Sequence, residues 1–165
     1  MTLCATPQRR LLLAAKVTTF SAVVAVVSLA SCLVAFSVCQ PLLAARVDGL
    51  TLTDPGVLRA VVGGAGHLVL IGAIAVGVGA ILRRTAGAIA VLFAVLLVLP
   101  GLVALLPSPW NNDITQYLPS SAGVAMSAHV RFPNLLPPAG GLAVLASYTL
   151  TVLAVAMLMI ERRDA

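Results

Sequence analysis

The chain has 165 residues, 61% of them hydrophobic and only 9% charged, with a mean hydropathy of +1.10. Soluble domains are closer to ~45–50% apolar, so this composition excludes an ordinary water-soluble domain and marks an integral membrane protein. The net charge of +5 and pI near 9.9 would point to nucleic acid in a soluble chain, but here the cations sit at the ends of apolar runs. In that position they act as topology signals, and no nucleic-acid partner is expected.

Residues 1–16 carry Arg9, Arg10 and Lys16 around Leu11-Leu12-Leu13 and read as a basic amphipathic segment on the cytoplasmic face. The first span, 17–38, is uncharged. Leu29-Ala30-Ser31-Cys32 resembles a lipoprotein cleavage box, but the apolar run continues through Leu33-Val34-Ala35-Phe36, so an uncleaved span is expected. Cys4, Cys32 and Cys39 form no CxxC pair. Cys32 and Cys39 stand ~10 Å apart along one helix, too far for a disulfide within it, and read as packing residues.

Residues 39–59 form an outside loop that ends in Thr53-Asp54-Pro55-Gly56. Asp54 suits a helix cap and Pro55 the first helical position. The second span, 60–82, contains eleven Val, Leu or Ile residues, worth about −3 to −7 kcal/mol of insertion at ~0.3–0.6 each. It is also rich in glycine. Ala73 with Gly77, and Ala75 with Gly79, stand four apart and make small faces against which another helix can pack closely. His67 is the sole titratable group in this span, and a hydrogen bond to a neighbouring helix is its expected role, with catalysis the alternative.

Arg83-Arg84 breaks the apolar pattern before the third span, 85–106, where Pro100 predicts a kink or an early end. The two spans on either side of the arginine pair must form a hairpin, since an uninterrupted span can satisfy its backbone only as a helix. The outside loop 107–138 holds Trp110 and Tyr117, which suit the membrane interface, and its repeated prolines predict an ordered loop with a short surface helix. The fourth span is 139–160, and residues 161–165 form a tail. The fold class is therefore all-α, a polytopic bundle of four transmembrane helices. Placing Arg9, Arg10, Lys16, Arg83, Arg84, Arg162 and Arg163 inside leaves Arg46, Arg59 and Arg131 outside, which predicts a multi-pass plasma-membrane protein with both termini in the cytosol.

The sequence has no phosphate-binding loop, no H-E-x-x-H, no G-x-S-x-G and no clustered carboxylates, and all five acids lie outside the predicted spans. No enzyme activity, metal or cofactor is expected. If the chain moves a substrate, the energy comes from elsewhere.

Thr6-Pro7-Gln8-Arg9-Arg10, Leu52-Thr53-Asp54-Pro55-Gly56-Val57-Leu58-Arg59-Ala60, Leu82-Arg83-Arg84-Thr85-Ala86-Gly87, Tyr117-Leu118-Pro119-Ser120-Ser121-Ala122-Gly123 and the ending Glu161-Arg162-Arg163-Asp164-Ala165 occur in this order along the chain. With this set the sequence resembles the carboxy-terminal two thirds of bacterial, especially actinobacterial, permease subunits of ABC exporters. The resemblance implies four of six spans, pairing with a second permease subunit, and a separate cytoplasmic ATPase that drives the cycle. It places the ATPase contact at residues 7–16, with Arg9, Arg10 and Lys16, and gives Arg83 and Arg84 a part in it. It also implies two further spans ahead of these, so that the start codon is misassigned, the gene is truncated, or a partner supplies the missing helices. The alternative function is a small scaffold that associates laterally through the glycine-rich second span.

Overall fold

The computed structural model describes residues 9–44, 54–108, 110–128, 130, 132 and 134–162; the side chains at 9, 10, 41–44, 161 and 162 lie outside the described set. Every regular element among the described residues is helical. Four helices are long and apolar enough to cross a membrane, at Leu11–Gln40, Val57–Leu82, Thr85–Ala104 and Pro138–Ile160.

Helix α1 runs unbroken over Arg9–Ala44. It contains no glycine, and its only proline, Pro41, falls in the last turn, so nothing separates the basic segment from the first span. The expected boundary at residue 16 is absent and the two form one rod. At ~1.5 Å per residue its 36 residues reach about 54 Å, well beyond a ~30 Å bilayer core. Hydroxyls along α1 bond to its own backbone: Thr18 Oγ1 donates to the Ala14 carbonyl at 2.9 Å, and Ser37 Oγ to the Val34 carbonyl at 2.9 Å. That satisfies them where water is scarce.

Helix α2, Val57–Leu82, starts three residues before the predicted span. Its N-cap is Gly56, at φ 93 in the left-handed region. The Asp54 carbonyl accepts the Val57 amide at 3.2 Å. The expected helix start at Pro55 is therefore corrected: only glycine enters this conformation without a Cβ penalty, and the tight turn moves the helix two residues on. Arg83, at φ 53, closes α2, and Arg84 is extended, so the chain reverses in two residues.

The third span consists of α3 (Thr85–Phe93), a π-helical turn (Ala94–Val98) and α4 (Leu99–Ala104). Pro100 does not end it. The π turn immediately before the proline opens the hydrogen-bond ladder where the pyrrolidine ring would otherwise meet the Leu96 carbonyl. Two short helices, α5 (Trp110–Thr115) and α6 (Pro119–Ser127), precede α7 (Pro138–Arg162).

α1 and α3–α4 run one way and α2 and α7 the other, so the start of α1, the Arg83–Arg84 turn and the end of α7 share one end of the bundle. The core lies in the other half. Ala122, Met126 and Leu145 form its buried centre, with Leu70, Ile71 and Val144 packed around them. α6 is thus central to the core, while the short surface helix expected in 107–138 is α5, which has no buried residue; the sequence does not predict the second helix of that stretch. The residues of α6 are small enough for it to lie in the groove between α2 and α7.

Candidate functional site

The contacts of α6 define a re-entrant element. A Cβ placed on Gly63 would overlap the Met126 carbonyl oxygen, one on Gly123 would overlap the His67 ring, and one on Gly141 would stand 2.6 Å from the Ala122 carbonyl oxygen. Glycine at each point lets α6 approach α2 and α7 at backbone distance. Met126 meets Gly63 while Gly123 meets His67, so α6 runs antiparallel to α2. The turn before it reaches deep: the Tyr148 hydroxyl donates to the Tyr117 carbonyl at 3.2 Å, ten residues or about 15 Å along α7 from Pro138. Tyr117 therefore lies near the middle of the bundle, not at the interface expected for it, while Trp110 stays exposed at the start of α5.

The hairpin is fastened at both ends. Asn111 Nδ2 donates to the Ala104 carbonyl at 3.4 Å, tying α5 to the end of α4, and Thr115 Oγ1 donates to Asn111 Oδ1 at 2.8 Å. Arg59 Nη2 donates to the Ala128 carbonyl at 3.5 Å, setting a cation at the C-terminus of α6 where the helix dipole is negative. Non-spanning backbone at this depth is tolerated in a membrane protein only where protein covers it or it lines a cavity; α2 and α7 cover one face of α6, and Val124 on the other is half-exposed.

His67 faces this hairpin. Its ring packs on Gly123, and its buried Nδ1 has no hydrogen-bond partner, so the interhelical bond expected of it is not made through that atom. No group of three or more His, Cys, Asp or Glu that could hold a metal ion occurs among the described residues. The ring works here as a flat filler.

The two small faces of α2 have different surroundings. Ala73 and Gly77 are buried, and a Cβ on Gly77 would lie 2.7 Å from Val152 Cγ1, so this face is filled by α7 of the same chain. Gly79 has nothing within 4 Å of its Cβ position. With Ala75 it forms one wall of an open cavity of about 410 Å³ at the arginine end.

That cavity brings together three of the expected cations. Lys16 from α1, Arg83 and Arg84 from the turn, and the first residue of α3, Thr85, line its polar side; no carboxylate lines it. Leu13 and Ile89 belong to its apolar side. Sequence spacing alone missed the convergence, because Lys16 and Arg83 are 67 positions apart and meet only through the antiparallel pairing of α1 with α2. Ser28 Oγ, donating to the Ala65 carbonyl at 3.4 Å, helps fix that register. The Arg9 and Arg10 side chains lie outside the described residues, as do Arg46, Arg131 and Arg163.

At the opposite end, Cys32 is half-buried and Cys39 exposed, and both are free thiols lining an apolar groove with Phe36, Val61 and Ser127. Cys32 is placed to pack as expected, whereas the exposed Cys39 is not buried by the chain. Compared with protein-family models, curated proteins and solved structures, the chain matches none of them.

Proposed function

We propose that this chain is a permease subunit of an ABC exporter, or a portion of one, forming part of a substrate path and driven by a separate cytoplasmic ATPase. The observation that carries the reading is the α5–α6 hairpin. A short helix that enters the bundle and stops near its middle is costly in lipid, and membrane proteins retain such elements where a path or binding site is built. A scaffold has no need of one.

Two further features support it. α1 continues seven residues, about 10 Å, beyond Lys16 to Arg9, so its tip projects past the level of the Arg83–Arg84 turn. Leu11 and Leu12 are exposed on that tip, an apolar and basic surface placed for a partner in water. The seven-to-three excess of cations at this end supports a cytosolic position for it in a plasma-membrane protein. The exposed apolar faces of α1 and α3–α4 meet lipid or a second permease subunit. A scaffold using α2 would be left with the Ala75–Gly79 face, because the other is filled within the chain.

Affinity capture from solubilised membranes tests the assignment. Recovery of an ATPase bearing a phosphate loop, abolished by Arg9→Glu with Arg10→Glu, is the expected result; ATPase-free homo-oligomers would overturn it. Labelling of Arg84→Cys in a background lacking native cysteines tests the orientation, with no reaction toward an impermeant maleimide expected in intact cells.

A further inference from the structure

From the cavity at the arginine end we infer that Lys16, Arg83 and Arg84 hold the phosphate of an acidic phospholipid, with an acyl chain of the same molecule lying in the groove between α1, α2 and α3. This goes beyond the permease assignment and stands or falls separately from it.

Three observations carry it. Lys16, Arg83 and Arg84 come from two separate stretches of the chain, yet border one cavity of about 410 Å³ with no carboxylate in its lining. Like charges gathered around one space repel each other, and an anion between them relieves this. The rest of the wall is apolar: Leu13, Val76, Ala80, Ala88, Ile89 and Leu92. A soluble anion has no use for that wall, whereas a lipid acyl chain does. Ile89 is 67% exposed on a helix that spans a membrane, so the apolar side opens to where lipid chains are.

The turn itself is the third. Arg83 adopts φ 53, the only positive φ at a non-glycine residue among the described residues, in a position glycine usually fills. A side chain kept at such a cost of order 1–3 kcal/mol is kept for what it reaches. Arg84, extended at φ −130, then caps α3 through its backbone with no side-chain bond, leaving the first amides of α3 beside Thr85 at the cavity edge. Amides at a helix start favour an anion as well.

Small residues keep the space open. Ala75, Gly79 and Ala80 line it on α2, and nothing lies within 4 Å of a Cβ at Gly79.

The full chain, purified in a neutral detergent and delipidated, is titrated with phosphatidylglycerol, with phosphatidylcholine, and with inorganic phosphate, and bound lipid is counted by native mass spectrometry. Retention of phosphatidylglycerol is expected, weakening with added salt, with little retention of phosphatidylcholine. The triple variant Lys16→Ala, Arg83→Gly, Arg84→Ala keeps the turn, because glycine accepts φ 53. It should lose affinity on the order of 100-fold, about five-fold per cation. Ala88→Trp leaves all three cations and fills the groove, and it too should release phosphatidylglycerol. That variant decides the matter should the triple variant fail to fold.

Equal retention of the two lipids, or unchanged phosphatidylglycerol binding in Ala88→Trp, would overturn the proposal. Displacement of phosphatidylglycerol by millimolar inorganic phosphate would overturn the choice of lipid and make this a site for a soluble anion.

Discussion

Two sets of small residues on α2 serve opposite ends. Near its start, Gly63 and Gly66 admit α6, and Gly63 touches the Met126 carbonyl itself. Near its finish, Gly79 has nothing within 4 Å of its Cβ position and with Ala75 borders a basic-rimmed cavity. Glycine in a membrane helix therefore marks close approach only where a partner backbone is present to use it. Otherwise it leaves volume, and what occupies the volume is set by the charges around it.

Substitutions sharpen that contrast. The largest expected effect is Gly63→Ala, whose methyl must displace α6 backbone; a loss of about 2–3 kcal/mol is expected, as for an overpacked core, read by reversible unfolding in mixed micelles. Gly123→Ala should cost somewhat less, because its methyl meets a side chain, and His67→Ala should restore part of the loss. A double-mutant cycle on that pair should give a coupling of about 1–2 kcal/mol, and additivity would show that the ring does not face Gly123.

Gly79→Ala should change stability in the other direction, by up to about 0.8 kcal/mol of gain, since alanine is the better helix former and its methyl meets open space. A loss there would break the comparison. The smallest effect is expected of Arg59→Ala, about 0.5 kcal/mol, because the side chain is exposed and its bond to the Ala128 carbonyl is long at 3.5 Å. Protease sensitivity of the segment after Ser127 is the more sensitive measure of that change.

Much of the fold is legible in the sequence because long apolar runs bounded by arginine permit little else. The second, third and fourth spans fall within a few residues of where hydropathy puts them, and the Arg83–Arg84 reversal is where the charge pattern requires it. The packing of Ala73 and Gly77 is also readable from their spacing, although not that the partner is α7. What the residues alone do not reveal depends on other parts of the chain. The fusion of the basic segment into α1 follows from the absence of a helix breaker, which a change of polarity at Lys16 obscures.

The burial of α6 is the clearest case. Ala122, Gly123 and Ala125 have no strong polarity of their own, and the flanking prolines and polar pairs suit a surface loop equally well. Only when Gly63 and Gly66 on α2 and Gly141 on α7 are brought to the same level does a groove appear that fits this helix and no bulkier one. The signal was divided among three segments more than fifty residues apart at its extremes.

The docking of α6 against α2 is tested most directly by a disulfide. The Cβ position at Gly64 stands 3.6 Å from Ser127 Cβ, within the span of a disulfide at ~3.5–4.5 Å. In a chain with Cys4, Cys32 and Cys39 replaced by serine, Gly64→Cys with Ser127→Cys should oxidise in native membranes to a single cross-linked monomer, with both thiols lost to maleimide. Free thiols at both positions after oxidation would contradict the account, placing α6 on the surface and removing the re-entrant element.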